Sequence, residues 1–167
     1  MVQDMKKRIL SLLVVNSSGV LSRVSGMFSR RGYNIDSLTV GVTEDPKYSR
    51  MTVVVSGDDR TLDQIEKQLY KLEDVLQVTE LEDGVSVCRE LVLIRVKADK
   101  TEKQQIIAVA HEFRANIVDV AKESLMIELT GNMNKVNAFL SLLDGFEVMA
   151  VVRTGVTGLM RGNYSEE

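Results

Sequence analysis

Apolar and polar positions alternate along this chain in two rhythms, and the rhythms recur in the same order twice. Ile9 to Val15 is nearly unbroken apolar sequence, which reads as a buried strand. Val20, Leu21, Val24, Met27 and Phe28 then recur at helical spacing, and Gly32 marks the stop. Ile35 to Val42 is extended, and a polar hairpin around Asp45-Pro46 leads to the β-branched run Met51 to Val55. Thr61 with Gln64 predicts a capping-box start for a helix carrying Leu62, Ile65, Leu69 and Leu72. Val75 to Leu81 closes the set as a strand.

Past Gly84 the order returns. Leu91 to Val96 predicts a strand, and Thr101 with Gln104 opens a helix bearing Ile106, Ile107, Ala110 and Phe113. Asn116–Val120 and Leu125–Thr130 pair as strands, Val136, Leu140 and Leu143 lie on a helix, and Phe146 to Val152 is a final strand. The copies are in register: Asn34-Ile35 matches Asn116-Ile117 at an offset of 82 residues. Leu62, Ile65, Leu69 and Leu72 match Met133, Val136, Leu140 and Leu143 at an offset of 71, so 11 residues are lost between the second and third strands. The fold expected is α+β: two tandem ferredoxin-like βαββαβ domains, each an antiparallel sheet with two helices on one face. The boundary falls in Glu82-Asp83-Gly84, giving domains 1–83 and 84–167, with Gly155, Gly158 and Gly162 marking a mobile tail.

Composition narrows the function. A net charge of −3 argues against phosphate-backbone or anionic-membrane partners. The apolar run after Lys6-Lys7-Arg8 is too short for a secretory or membrane-spanning segment. A single cysteine, Cys88, excludes an internal disulfide and fits a cytoplasmic protein, where the Asn16 and Asn163 glycosylation sequons mean little. The only histidine, His111, reads as an exposed helical residue without the second histidine that a zinc helix needs. No nucleophile–base pair or metal spacing is present, so the chain is not expected to be an enzyme or to hold a metal.

One turn stands apart. Asn16-Ser17-Ser18-Gly19-Val20-Leu21 leaves the first strand and opens a helix, whose first N–H groups have no intrahelical partners and sit at the positive end of its dipole. Small residues let a ligand approach the backbone, and Asn16 can face an ammonium or a carboxylate. The second copy, Lys97-Ala98-Asp99-Lys100-Thr101, lacks this group. Ile35 to Val42 is apolar on both faces and lies at a sheet edge, which invites pairing with a second copy of the chain. Such pairing would bring Asn34 of one chain toward the Asn16 turn of the other.

These stretches carry a resemblance. Arg8 to Leu81 resembles an ACT domain, the amino-acid-sensing βαββαβ module. The whole chain is similar to the small, regulatory subunits of acetohydroxyacid synthase, also called acetolactate synthase. The supporting stretches include Asn16 to Val24, Arg30 to Val40, Ser49-Arg50-Met51-Thr52, Arg89-Glu90-Leu91 and the ending Arg153-Thr154-Gly155-Val156. The resemblance implies a non-catalytic partner of a large catalytic subunit that uses thiamine diphosphate, magnesium and FAD, with no cofactor in this chain. It implies feedback inhibition by valine, in some members leucine or isoleucine, in branched-chain amino-acid biosynthesis. Effector sites in this family lie between two ACT domains of a dimer. The corresponding positions here are Asn16, Ser18, Gly19, Val20 and Leu21 from one protomer and Asn34, Ile35 and Asp36 from the other.

Three rivals share the fold. An RNA-binding sheet would display aromatics on its central strands, and Leu10–Val15 and Met51–Val55 have none. An acylphosphatase-like enzyme needs an arginine in its phosphate loop, and the Asn16–Leu21 turn lacks one. The remaining alternative is an ACT-type sensor that regulates another biosynthetic enzyme.

Overall fold

A computed structural model describes residues 5–164. The chain forms two compact units: the stretch through Cys88 together with the stretch from Val156 onward, and Arg89–Gly155.

In the first unit β1 (Lys6–Val15), α1 (Val20–Arg30), β2 (Ile35–Val42), β3 (Tyr48–Gly57), α2 (Asp59–Leu69) and β4 (Val75–Glu80) follow the expected βαββαβ order. The sheet order is β2-β3-β1-β4, with every neighbouring pair antiparallel. Period-2 alternation sends Leu10, Leu12 and Val14 of β1 and Met51, Val53 and Val55 of β3 to the helical face. There they meet Val20, Val24, Met27 and Phe28 of α1 and Leu62, Ile65 and Leu69 of α2, all fully or nearly fully buried. Burying each such side chain stabilises the unit by about 1.5–3 kcal/mol.

The second unit repeats the pattern with β5 (Ser86–Lys97, its first three residues belonging to the first unit), α3 (Lys100–Glu112), β6 (Asn116–Val120), β7 (Ser124–Gly131), α4 (Met133–Leu142) and β8 (Glu147–Arg153). Its order, β6-β7-β5-β8, is the same topology. Val92, Ile94, Val96, Leu125, Ile127 and Leu129 pack on Ile106, Ala110, Val136 and Phe139, and the Phe139 ring meets Phe113 edge-on at 5.3 Å. The buried Glu90 carboxylate is held by the Arg153 guanidinium, which supplies the partner a buried charge requires.

Three expectations need correction. The cap of α2 is Asp58, whose carboxylate accepts from the Thr61 N–H at 2.7 Å, so Thr61 lies inside the first turn. The cap of α3 is Asp99, in a reciprocal box with Glu102, and Thr101 is again inside. In both cases an aspartate just upstream competes with the threonine and wins, because its carboxylate is the stronger acceptor for orphan N–H groups. The glycine-rich ending is not a tail over its described length: Thr157–Met160 forms β9, which pairs with β5. Gly158 allows that approach, since a Cβ there would lie 2.6 Å from Leu81 and 2.7 Å from Cys88 Sγ. Cys88 itself is half-buried.

Candidate functional site

The turn between β1 and α1 is exposed from Asn16 through Gly19. Its shape depends on Gly19, which caps α1 in the left-handed region at φ 86, where a side chain is strained. No side chain caps α1 and no acidic residue occupies its first turn, whereas α2, α3 and α4 each take a cap from Asp58, Asp99 and Asn132. The first full helical bond runs from the Arg23 N–H to the Gly19 carbonyl, and the Val20 N–H makes only a 3.5 Å contact with Ser17. Leu21 and Ser22 therefore present orphan donors at the positive end of the helix dipole. Such a terminus is suited to a carboxylate.

Side chains around the turn are arranged for a mixed charge. Asn16 donates its Nδ2 to the Pro46 carbonyl at 2.8 Å, and its backbone N–H goes to Lys47 at 2.7 Å. With one of its two amide N–H groups committed to its own chain, Asn16 keeps its Oδ1 acceptor and a second N–H to offer a ligand. Leu21 is 46% exposed and gives the turn an apolar wall, but Val20 is 3% exposed. The Val20 side chain thus belongs to the core, and only its backbone reaches the turn. Arg23, which periodicity did not single out, brings its guanidinium over Gly19 and pairs with Asp74. Its position four residues after Gly19, one helical turn on, was the available signal.

The other half of the expected site forms at the start of β2. Asn34 donates its Nδ2 to Asp36 Oδ1 at 2.9 Å, Ser56 Oγ donates to Asp36 Oδ2, and Lys7 Nζ lies 3.4 Å from the same oxygen. Burial works against the Asp36 charge. The Ser56 hydroxyl, the Lys7 ammonium and the Asn34 amide outweigh it and hold the carboxyl below the ordinary aspartate range. Asp36 is the extra residue of a bulge, since Ile35 faces Val55 and Ser37 faces Val54. Ile35 is half-buried against the core. Lys7 and Ser56 were invisible to sequence reasoning, because only the β1–β3 register brings them opposite each other.

The two halves do not meet within one chain. β1 and β2 both pair antiparallel with β3 and so run parallel to each other. The Asp36 cluster sits beside Lys7 at the start of β1, and Asn16 lies just past its end, roughly 30 Å of strand away. A second chain paired antiparallel along β2 would bring its Asn34 to the end where Asn16 lies. β2 is an edge strand with Val40 and Val42 exposed, so it is open to such pairing. Among the described residues no group of His, Cys, Asp or Glu could hold a metal, and no helix is long and apolar enough to cross a membrane. His111 is exposed on α3.

Comparison with known proteins covers both units. The model of an AHAS small subunit-like ACT domain matches residues 10–77, and that of the small subunit of acetolactate synthase matches residues 89–162. The chain is 48% identical over 157 residues to the acetolactate synthase small subunit of Mycobacterium bovis, covering 94% of each. It is also 48% identical over 158 residues to the isozyme 3 small subunit of Escherichia coli, covering 94% of this chain and 97% of that one. The crystal structure of the Thermotoga maritima small subunit superposes with a TM-score of 0.84 at 43% identity, covering 95% of this chain and 99% of that one.

Proposed function

The chain belongs to the acetolactate synthase small-subunit family, and from that premise we propose that it activates a separate catalytic subunit and makes it sensitive to valine. The catalytic partner would carry the thiamine diphosphate, magnesium and FAD, and this chain no cofactor. It would act in the cytoplasm as a homodimer through its first unit. The single observation that carries the effector reading is the uncapped start of α1 at left-handed Gly19, with the Asn16 acceptor alongside. The match through the second unit disfavours a sensor for some other pathway.

A neutral amino acid suits these groups. Its carboxylate takes the Leu21 and Ser22 N–H groups and the helix dipole. Its ammonium takes the Oδ1 of Asn16 and, from the second protomer, that of Asn34. Each asparagine commits one amide N–H inside its own chain, which orients the side chain, and its Oδ1 is an acceptor suited to a cation. A branched side chain meets Leu21 and the partner's copy of Ile35. Discrimination among valine, leucine and isoleucine would be modest, since a methylene in an apolar pocket is worth about 1–3 kcal/mol.

Inhibition follows by linkage. Valine can inhibit only by binding more tightly to an arrangement in which the catalytic subunit is less active, a coupling typically of about 1–3 kcal/mol. A ligand that bridges two chains makes dimer geometry the two-state element. Calorimetry of the isolated chain with valine, leucine and isoleucine tests the site, and reconstitution with the catalytic subunit tests activation and inhibition. Saturable binding of valine with about one site per protomer, lost in Asn16→Ala, is expected. A chain that binds none of the three would overturn the reading.

A further inference from the structure

The stretch that follows β8 makes a contact on which the regulatory reading does not draw. Gly155 turns the backbone at φ 92, and Val156, 3% exposed, is then gripped by two side chains of β2. The Val156 N–H donates to Ser37 Oγ at 2.8 Å, and its carbonyl accepts from Thr39 Oγ1 at 3.0 Å. Ser37 and Thr39 are two apart on a strand and point to the same face. Together they satisfy both backbone groups of a buried residue, which would otherwise be left unpaired. β9 then continues the segment: the Arg161 N–H donates to the Val85 carbonyl at 2.9 Å, and Gly158 is packed too closely for any Cβ.

The place of this grip on β2 is what gives it a role. Ser37 directly follows Asp36, the bulged residue that carries the Asn34, Ser56 and Lys7 contacts. As an edge strand, β2 is bonded by backbone on one side only, to β3. A bulge in such a strand has a backbone ladder on one side only, so side-chain contacts beside it help to fix its register. The hydroxyls of Ser37 and Thr39, closed on Val156, supply such contacts within the same unit.

We propose that Ser37 and Thr39 are positioning residues for the effector. By clamping Val156 they hold the bulge that presents Asn34, Ile35 and Asp36, so the carboxy-terminal strand is part of what builds the effector half-site. The inference rests on the amino-acid-binding reading above.

The test compares the parent chain, the Ser37→Ala/Thr39→Val double variant and Thr39→Ser, each full length and reconstituted with the catalytic subunit. Valine is titrated against activity and, by calorimetry, against the regulatory chain alone. The double variant is expected to need about tenfold more valine for half-inhibition, within the usual range of coupling between sites, with activation in the absence of valine unchanged. Thr39→Ser keeps the hydroxyl and is expected to follow the parent. A double variant inhibited over the same valine range as the parent overturns the proposal while leaving the regulatory reading intact. Should the double variant not fold, hydrogen exchange at the Val156 amide of the parent decides. Slower exchange with valine supports the proposal, and unchanged exchange overturns it. A parent that neither binds valine nor responds to it overturns the regulatory reading, and the positioning role falls with it.

Discussion

Replacing Gly19 separates backbone strain from ligand repulsion at one atom. In Gly19→Ala the new Cβ must sit at φ 86, which costs about 1–2 kcal/mol for an L-residue in the left-handed region. The same Cβ would lie 2.9 Å from Arg23 Nη1, the far end of a flexible side chain, which can move aside. That movement loosens the Arg23–Asp74 pair, an exposed contact that adds little to stability. Strain therefore dominates, and the net loss is about 2 kcal/mol. For a chain of this size, with about 2–4 °C per kcal/mol, the midpoint should fall by roughly 4–8 °C. Aspartate visits the left-handed region more readily than alanine, so Gly19→Asp should melt above Gly19→Ala. Its carboxylate nevertheless competes for the place proposed for that of the ligand, and valine inhibition should be lost in the aspartate variant. Thermal unfolding followed by circular dichroism, with valine titration of the reconstituted enzyme, reads both effects. A Gly19→Ala chain that melts with the parent would refute the strain argument. A Gly19→Asp chain that stays fully valine-sensitive would remove the carboxylate from the α1 start.

Other outcomes test the remaining parts of the molecule. Val40→Lys places a charge on the exposed edge of β2 and should leave the chain monomeric in sedimentation, where the proposed pairing predicts a dimer for the parent, with valine binding lost in parallel. The Asp36 carboxyl sits below its ordinary range when folded, so the folded state binds fewer protons than the unfolded one. Its stabilisation is present above the unfolded aspartate value of about 3.9 and is lost as pH falls through the lower folded value. Asp36→Asn should flatten that acid limb in urea unfolding below about pH 4, and an unchanged limb would show that the Ser56–Lys7–Asn34 network does not hold the charge. Phe139→Ala empties a fully buried site against Phe113 and should cost about 3–5 kcal/mol in denaturant unfolding.

Much of this protein was legible as text, because the information is local. Helical and strand periods are written in neighbouring residues, so the element order, the two copies and most of both core stripes follow directly, with Leu21 of the α1 stripe left exposed and Leu72 only partly buried. The Asn16–Leu21 turn was also readable, since small residues before an apolar helical stripe are a local signature. Helix starts were misread by a few residues where Asp58 and Asp99 compete with Thr61 and Thr101, a contest between acceptors that pattern alone does not rank.

The remaining features are non-local. Strand register brings Ser56 and Lys7 to Asp36, and sheet topology places the two asparagine groups at opposite ends of β1, so a shared site demands a second chain. Burial assigns Val20 to the core and leaves Leu21 outside. Chain return seats Val156 on Ser37 and Thr39, more than a hundred residues away in sequence, where glycine spacing suggested only a loose end. Contacts of that range are set by packing the whole unit at once, and no window of neighbouring residues contains them.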